Sequence, residues 1–471
     1  MVGLPGLLVA LVVLSDLLIW QTARPRLALV VFLLVLGLAA TAMVRAGPAA
    51  RRVWLWFPLA LAPLVEEVTP LALLLADLGL LALLAGLVTG ETALIPRIAG
   101  RLPVAGLALV WRDARSAGRA MARVTSGRAD AARIGRDWAL PLGLGLVSVL
   151  LFSLANPLLD RWLANLFSFR LQRWPSADRI LFWAMAALIV WPCLRLVALP
   201  PLSAAHPTRQ RAMTSGGILN ERSVLRALVL FNLIFALQTG MDVAYLWGGI
   251  SLPAGTSHAA YAHRGAYPLL VSALLAGGFA LLTQPWLAGR PALRRLLLAW
   301  VAQTVALVAS SLLRLDLYVD AFGLTRLRLA AAIWMGTVAL GLALMLAQIA
   351  LQRSAEWLAA RAALLGLAVL YASAFLNGDG LIARHNLAMP DAPWDAAHLC
   401  ALGPGAVPAL RAFELQTRRA ICPHGGPWVD APQDWRDWGW RNWRLRQQLS
   451  PVATGLMRAD APQVQPMGAG N

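Results

Sequence analysis

The stretch PLALLLADLGLLALLAGLVT (residues 70–89) contains a single charged residue, Asp77. A helix needs about 20 apolar residues to cross the hydrocarbon core of a bilayer, so this stretch predicts a transmembrane helix. The whole chain shares this character, because 59% of its 471 residues are hydrophobic and only 14% are charged. Soluble globular proteins have about 25% charged residues. The composition therefore predicts an integral membrane protein and excludes a water-soluble enzyme.

Comparable apolar runs recur along the chain and predict an all-α, polytopic transmembrane helix bundle of about eleven spans. Bounded by Arg, Trp, Pro or Gly, these runs lie at residues 4–20, 26–44, 52–66, 69–89, 138–159, 179–200, 225–249, 266–286, 294–313, 329–351 and 358–376. The third and fourth runs have an alternative interpretation as one re-entrant hairpin. Prolines interrupt them, and Glu66 and Glu67 lie at their junction.

The distribution of charge predicts the orientation of these spans. All 41 basic residues are Arg, and the net charge of the chain is +18. If the N-terminus is cytoplasmic and the spans alternate, the cytoplasmic loops carry +16 and the remainder carries +2. Because Arg-rich loops stay in the cytoplasm, we expect an N-in, C-out protein of the bacterial inner membrane. The predicted segments are 1–90 (N-terminal membrane segments), 91–137 (Arg-rich cytoplasmic loop), 138–376 (main membrane bundle) and 377–471 (extracytoplasmic Trp-rich tail).

The basic net charge does not predict a nucleic-acid partner. Arginines between spans are typical of cytoplasmic loops that face anionic lipid. In residues 111–136 they recur at spacings of three and four, which predicts a helix that lies on the inner leaflet or bridges spans. Docking of a cytoplasmic partner to residues 111–136 is the alternative.

The C-terminal tail is polar, rich in Pro and Gly, and contains both Cys400 and Cys422. In an oxidising compartment these cysteines are candidates for a disulfide, although two cysteines leave the pairing open. The run DWRDWGWRNWRLR (434–446) alternates Trp with Arg. Such a run can lie on anionic lipid, which we favour, or it can stack on a glycan.

Ionisable residues inside spans usually face the bundle interior and mark a site. Asp16, Asp77 and Asp242 are three such residues, and Tyr245 shares a helix face with Asp242. Polar loops at the predicted outer rim add further candidates. The full candidate ligand-binding set is Asp242, Tyr245, Tyr261, His263, Arg264, Asp316, Asp320, Arg326, Arg328, Asp379 and Arg384. Taken singly, these residues have structural alternatives: a rim salt bridge for Asp316 with Arg314, an interfacial anchor for Tyr261, and a structural hydrogen bond for His263.

Together these residues predict an outward-facing charged cavity. Arginines would bind a phosphate in a bidentate manner, and Asp242 or Asp316 would act as a base or an orienting group. The expected ligand is an anionic lipid or glycan, such as a lipid-linked sugar or a phospholipid head group. Asp242 should pair with Arg264, Arg326 or Arg328. Whether the site catalyses a reaction stays open.

We expect neither a cofactor nor a metal, because no His-based metal motif is present. A divalent cation on Asp316 and Asp320 is a minor alternative. Two other classes of function compete with ligand binding. A transporter would use broken helices and charges near mid-membrane. A non-enzymatic sensor or envelope assembly factor would use the Arg-rich loop and the tail.

Five strings resemble a known family: QTGMDVAYLWGG (238–249), YAHRGAYPLL (261–270), LYVDAFGLTRLRL (317–329), NGDGLIARHNL (377–387) and LGPGAVPAL (402–410). They are similar to a bacterial polytopic membrane family of unknown function, domain-of-unknown-function family four-one-seven-three. The resemblance implies a multi-span inner-membrane protein without an established activity. It supplies no catalytic residues.

Overall fold

A computed structural model describes residues 3–44, 47–89, 99–124, 176–198, 220–244, 275–283, 287, 289–389, 395–422 and 427–459, with single residues at 141, 145, 148 and 272. Every regular element in these ranges is helical. The predicted span at 138–159, the second half of the Arg-rich segment 111–136, and most of the span at 266–286 lie outside the described residues.

The helices, numbered here in chain order, fall into two compact units. Unit one comprises residues 1–206 and 432–439, and unit two comprises residues 207–431 and 440–471. In unit one the helices are α1 (Leu4–Ile19), α2 (Arg26–Ala42), α3 (Pro48–Glu66), α4 (Pro70–Thr89), α5 (Leu102–Val124) and α6 (Ala177–Val197). In unit two they are α7 (Glu221–Asp242), α8 (Pro291–Phe322), α9 (Arg326–Ala350), α10 (Ala355–Phe375), α11 (Gly378–Ala388), α12 (Ala396–Cys400), α13 (Val407–Thr417) and α14 (Trp440–Ala459).

Six helices of the described chain are long and apolar enough to cross a membrane: α4, α6, α7, α8, α9 and α10. Two shorter apolar helices, α1 and α2, accompany them. Large apolar side chains on these helices point outward; Leu181, Leu233 and Leu364 are 60%, 65% and 65% exposed. Helices that are apolar on all sides require an apolar surrounding, so the fold is that of a membrane protein. The predicted all-α membrane character is thereby confirmed.

Helices α3 and α4 form a close antiparallel hairpin. The turn between them contains Thr69, whose hydroxyl accepts a hydrogen bond from the amide of Ala72 at 3.1 Å. A Cβ atom on Gly79 would lie 2.6 Å from the Cβ of Ala60, so only glycine permits this approach of the two helices. Of the two, α4 alone is long and apolar enough to span.

In unit one, two arginines of helix α6, one near each end, bind aspartates on neighbouring helices. At its start, Arg179 binds both carboxylate oxygens of Asp16, and the Nε1 atom of Trp183 donates to Oδ1 at 2.9 Å. This contact gives Asp16, the intramembrane acid predicted in α1, a charged partner. Bracing between helices therefore accounts for Asp16.

The second aspartate of this arrangement is Asp113 on α5. Its Oδ2 atom accepts from Arg195 Nε at 3.0 Å and from Trp191 Nε1 at 3.2 Å. Arg195 lies 16 positions after Arg179, which corresponds to about 24 Å of helix, somewhat less than the roughly 30 Å thickness of the hydrocarbon core. If α6 spans the membrane, the two ion pairs therefore lie near the two head-group regions.

Helix α5, the described part of the Arg-rich segment, has two different faces. Leu102 and Leu109 are buried, whereas Val104, Leu107 and Trp111 are 72%, 68% and 61% exposed. The guanidinium of Arg115 lies over the exposed Trp111 ring, 4.3 Å from its centroid. Apolar and aromatic side chains flanked by Arg are typical of a helix in the membrane interface.

Residues 432–439 of the tail pack in unit one against the start of α2. Arg26, which is 4% exposed, donates from Nη1 to the carbonyl oxygen of Asp437 at 3.0 Å. A Cβ atom on Gly439 would overlap the Arg26 side chain, so glycine allows the tail to approach so closely. This return of the tail was not predicted from composition.

The membrane core of unit two is built around Trp300 on α8. Its ring stacks on Phe231 with a centroid distance of 5.0 Å and meets Phe235 and Phe279 edge to face. Helix α8 packs against α7 on one side and α9 on the other, and α9 also packs against α10 and α11. A separate apolar cluster, which includes Ile382, joins α11 to α13.

Candidate functional site

The most buried charged pair in the described chain joins α7 to α8. Asp242 is 0% exposed, and its Oδ1 atom accepts from Arg314 Nη2 and, at 2.9 Å, from Gln238 Nε2. Arg314 is 3% exposed. The pair is neutral overall, which is how a low-dielectric interior tolerates two charges.

The described partner of Asp242 is Arg314, which the sequence did not predict, and the predicted partner Arg264 lies outside the described residues. Sequence reasoning proposed Arg264, Arg326 or Arg328 and assigned Arg314 to an outer loop, because the apolar run ends near residue 313. Helix α8 instead continues to Phe322, and this extension brings Arg314 inside the helix pair. The signal that could have identified it is the i, i+4, i+7 spacing of Leu307, Ser311 and Arg314, which places Arg314 on the same buried face.

Arg326 forms a bidentate ion pair with Asp379. Its Nε and Nη2 atoms lie 2.7 and 2.9 Å from the two carboxylate oxygens, and the amide of Gly403 donates to Oδ2 at 2.8 Å. Burial raises the pKa of Asp379, but the hydrogen bonds from Arg326 and Gly403 outweigh it, so the net pKa lies below the ordinary value. These two predicted ligand-binding residues bind each other.

Replacing Asp379 with asparagine should lower the free energy of unfolding by about 1–2 kcal/mol, a modest loss because Arg326 is 59% exposed. The unfolded state binds the Asp379 proton at a higher pH than the folded state does. The contribution is therefore complete above the ordinary pKa of 3.8 and is lost as the pH falls through the lower folded value. The stabilities of the two proteins in detergent should therefore approach each other as the pH is lowered from neutral to below 3.8. A difference that does not depend on pH would contradict this assignment.

Two asparagines form hydrogen bonds between three of the five family-like strings. Asn377 caps α11 by accepting from the amide of Gly380 at 3.0 Å and donates to the carbonyl of Gly405 at 3.0 Å. Asn386 exchanges two hydrogen bonds with the backbone of Leu324, at 2.6 and 3.0 Å. The strings at 317–329, 377–387 and 402–410 thus bind one another, so much of their polarity is structural.

Arg328 uses only part of its guanidinium group in contacts within the described chain. One of its terminal nitrogens, Nη1, donates to the carbonyls of Phe322 and Gly323, and its guanidinium lies 4.4 Å from the ring centroid of Tyr318. Among the described residues it has no carboxylate partner within ion-pair distance. Its Nε and Nη2 atoms form no hydrogen bond in that part of the chain.

A groove of about 510 Å³ opens beside Arg328, between α8, α9 and α11. Its apolar lining consists of Leu312, Leu313, Leu315, Val319, Leu324 and Ala332, and its polar lining consists of Asp316, Arg328 and His385. The Nε2 atom of His385 is buried without a hydrogen-bond partner in the described chain. A buried polar atom without a partner favours a ligand or water at this position. Of the predicted ligand-binding residues that the structure describes, only Asp316 and Arg328 line this groove.

The other predicted site residues do not join this groove. Asp320 and Arg384 are exposed, and Asp77 is exposed on α4 in unit one. Tyr245, Tyr261, His263 and Arg264 lie outside the described residues. Within the described ranges, no group of three or more His, Cys, Asp or Glu side chains could hold a metal. His385 lines the groove but was not among the predicted ligand-binding residues.

Cys400 and Cys422 are joined as a disulfide, with their Cα atoms 5.7 Å apart. The bridge links the end of α12 to the segment after α13 and lies beside the apolar cluster of the tail. It therefore fixes the layer formed by α11, α12 and α13.

Fold and sequence together define an all-helical membrane protein with several helices that can span a bilayer. The chain belongs to the family described as domain of unknown function (DUF4153), whose profile matches residues 6–413. The expected relationship to a family of unknown function is confirmed, and the number of the matching family is DUF4153 rather than four-one-seven-three. No curated protein and no solved structure matches the chain.

Proposed function

We propose that this protein binds the phosphate-bearing head group of an envelope lipid in the groove between α8, α9 and α11. The observation that carries the proposal is the composition of the groove, which is apolar except for Asp316, Arg328 and His385. An amphiphile needs such a division, with an apolar wall for an acyl chain and a few polar groups at one end.

The polar groups match a phosphate ester. Arg328 has Nε and Nη2 available beside Nη1, and these two form a fork suited to two phosphate oxygens. His385 can donate from Nε2, which has no other described partner. Asp316 at the exposed margin would accept from a hydroxyl or ammonium group of the head group. Asp242 is excluded from this role because it is paired with Arg314 and fully buried.

The same proposal includes an inner-membrane location with a cytoplasmic N-terminus and an extracytoplasmic tail. The charge difference of +16 against +2 between the two sides supports this orientation. In that orientation the lipid groove faces the outer leaflet. Access to the Cys400–Cys422 disulfide from outside the cell tests it.

Filling the groove should remove the bound lipid. We expect native mass spectrometry of the purified chain to detect retained phospholipid, and the Ala332→Phe variant to lose it, because a phenyl ring would occupy the apolar wall. His385→Phe should weaken phospholipid retention about tenfold by removing a donor from a buried site.

The matched control is Ala330→Phe, which places the same ring on the exposed side of α9. It should retain lipid as the parent protein does. Equal retention in all three variants, with helicity unchanged, would contradict the proposal.

A further inference from the structure

A second polar cavity lies at the opposite end of the α8–α9 pair. It has a volume of about 420 Å³. Its polar lining consists of Arg294 near the start of α8, Gln348 at the end of α9, and Gln352 and Arg353 after it, and its remaining lining consists of Leu287, Gly289 and Ile349. None of its lining residues is acidic. The cavity therefore carries two positive charges and no compensating carboxylate of its own.

Neighbouring contacts leave both arginines available. The nearby acid Glu221 forms its ion pair with Arg290. Arg294 is half-buried and uses one nitrogen to donate to the carbonyl of Ala350 at 3.3 Å. Among the described residues, neither Arg294 nor Arg353 pairs with a carboxylate. Arg353 is exposed, so water screens part of the repulsion between the two guanidinium groups, and an anion between them would offset the rest.

The turn that forms one wall of this cavity is held rigidly. The amide of Arg353 donates to the carbonyl of Gln348 at 2.9 Å, and the side-chain amide of Gln348 donates to the carbonyl of Arg353 at 2.6 Å. Gln352, the residue between them, has a φ of +51°. Glycine is the usual residue at this position of a helix end. A glutamine there accepts local strain and brings an amide donor to the cavity.

We infer that this cavity is an anion site that binds a phosphate group, either as free phosphate or as the head group of an anionic lipid. Arg294 and Arg353 supply paired donors, and Gln352 supplies a neutral one. Helices α8 and α9 can both span the membrane, so the cavity lies where their ends meet the aqueous boundary. The site differs from the lipid groove, which lies at the other ends of the same helices.

The test uses the full chain in a neutral maltoside detergent, titrated calorimetrically with inorganic phosphate. In parallel, native mass spectrometry compares nanodiscs of phosphatidylglycerol with nanodiscs of phosphatidylcholine. Arg294→Gln and Arg353→Gln should each weaken binding of at least one anionic probe about tenfold or more. Response to phosphate identifies a soluble ligand, and response to phosphatidylglycerol alone identifies a lipid head group.

Gln352→Gly separates a ligand-binding role from a structural one. The change should raise the melting temperature or leave it unchanged, because glycine adopts a positive φ without strain, and yet it should weaken binding. The charge-matched control is Arg361→Gln, which removes an arginine that lies over Trp357 on α10.

The control should bind within about twofold of the parent protein. If Arg361→Gln weakens binding as much as Arg294→Gln and Arg353→Gln do, or if neither probe binds the parent chain, the site is refuted. Ala332→Phe should leave binding of inorganic phosphate unchanged, so failure of the lipid groove would not affect this result.

Discussion

Replacing Arg314 with methionine should lower the free energy of unfolding by about 3–5 kcal/mol, because the Asp242 carboxylate would remain buried without its charged partner. Asp242 is 0% exposed, and Gln238 is its other described hydrogen-bond donor. The expected result is a large drop in the melting temperature of the detergent-solubilised protein. Expression in the membrane should also fall, since a loss of this size removes a large share of typical stability.

A double replacement distinguishes pairing from simple packing. The variant that combines Asp242→Leu with Arg314→Met removes both charges and should recover part or all of the lost stability. Arg384→Met, which removes an exposed guanidinium, should change stability by less than about 0.5 kcal/mol. If the double variant is no more stable than Arg314→Met alone, the ion pair is not the cause of the loss.

Removing the disulfide should have the second largest effect. Cys422→Ser opens a loop that spans 22 residues of sequence, and loop-closure entropy gives a loss of about 3 kcal/mol. The loss should concentrate in the layer formed by α11, α12 and α13, and proteolysis should therefore cleave the tail before the membrane helices.

The same bridge reports on the proposed orientation. In intact spheroplasts, a membrane-impermeant reductant should open it, and a membrane-impermeant maleimide should then label Cys400 and Cys422. Cys193 is buried in unit one and should resist labelling under these conditions. Recovery of both tail cysteines as free thiols without reduction would contradict the disulfide. A bridge that yields only after lysis would contradict the orientation.

Apolar runs predicted the described membrane helices closely, because hydropathy alone decides whether a segment enters lipid. The predicted run 179–200 corresponds to α6 (Ala177–Val197), and the run 358–376 corresponds to α10 (Ala355–Phe375). The polar ends of the helices were harder to predict from hydropathy. Helix α8 extends past its apolar run to Phe322, and Arg314 in this extension pairs with the buried Asp242 on another helix.

In the described part of the chain, the structure brings together only some of the predicted ligand-binding residues. Asp316 and Arg328 do line a groove, but Arg326 is held by Asp379, which lies 53 residues away in sequence. The sequence shows that such residues are charged and close to a span. Only tertiary packing decides whether they face a ligand or each other. For the same reason the return of residues 432–439 to unit one was not foreseen.

Photocrosslinking tests most directly whether the groove beside Ala332 holds a phospholipid. A phosphatidylglycerol that carries a diazirine in one acyl chain is incorporated with the full chain into nanodiscs, and adducts are located by peptide mapping. We predict that adducts concentrate at Leu312, Leu313 and Ala332, and that Ala332→Phe abolishes them whereas Ala330→Phe does not. Adducts spread evenly over exposed positions such as Leu233 and Leu364, and unaffected by Ala332→Phe, would contradict lipid binding in the groove.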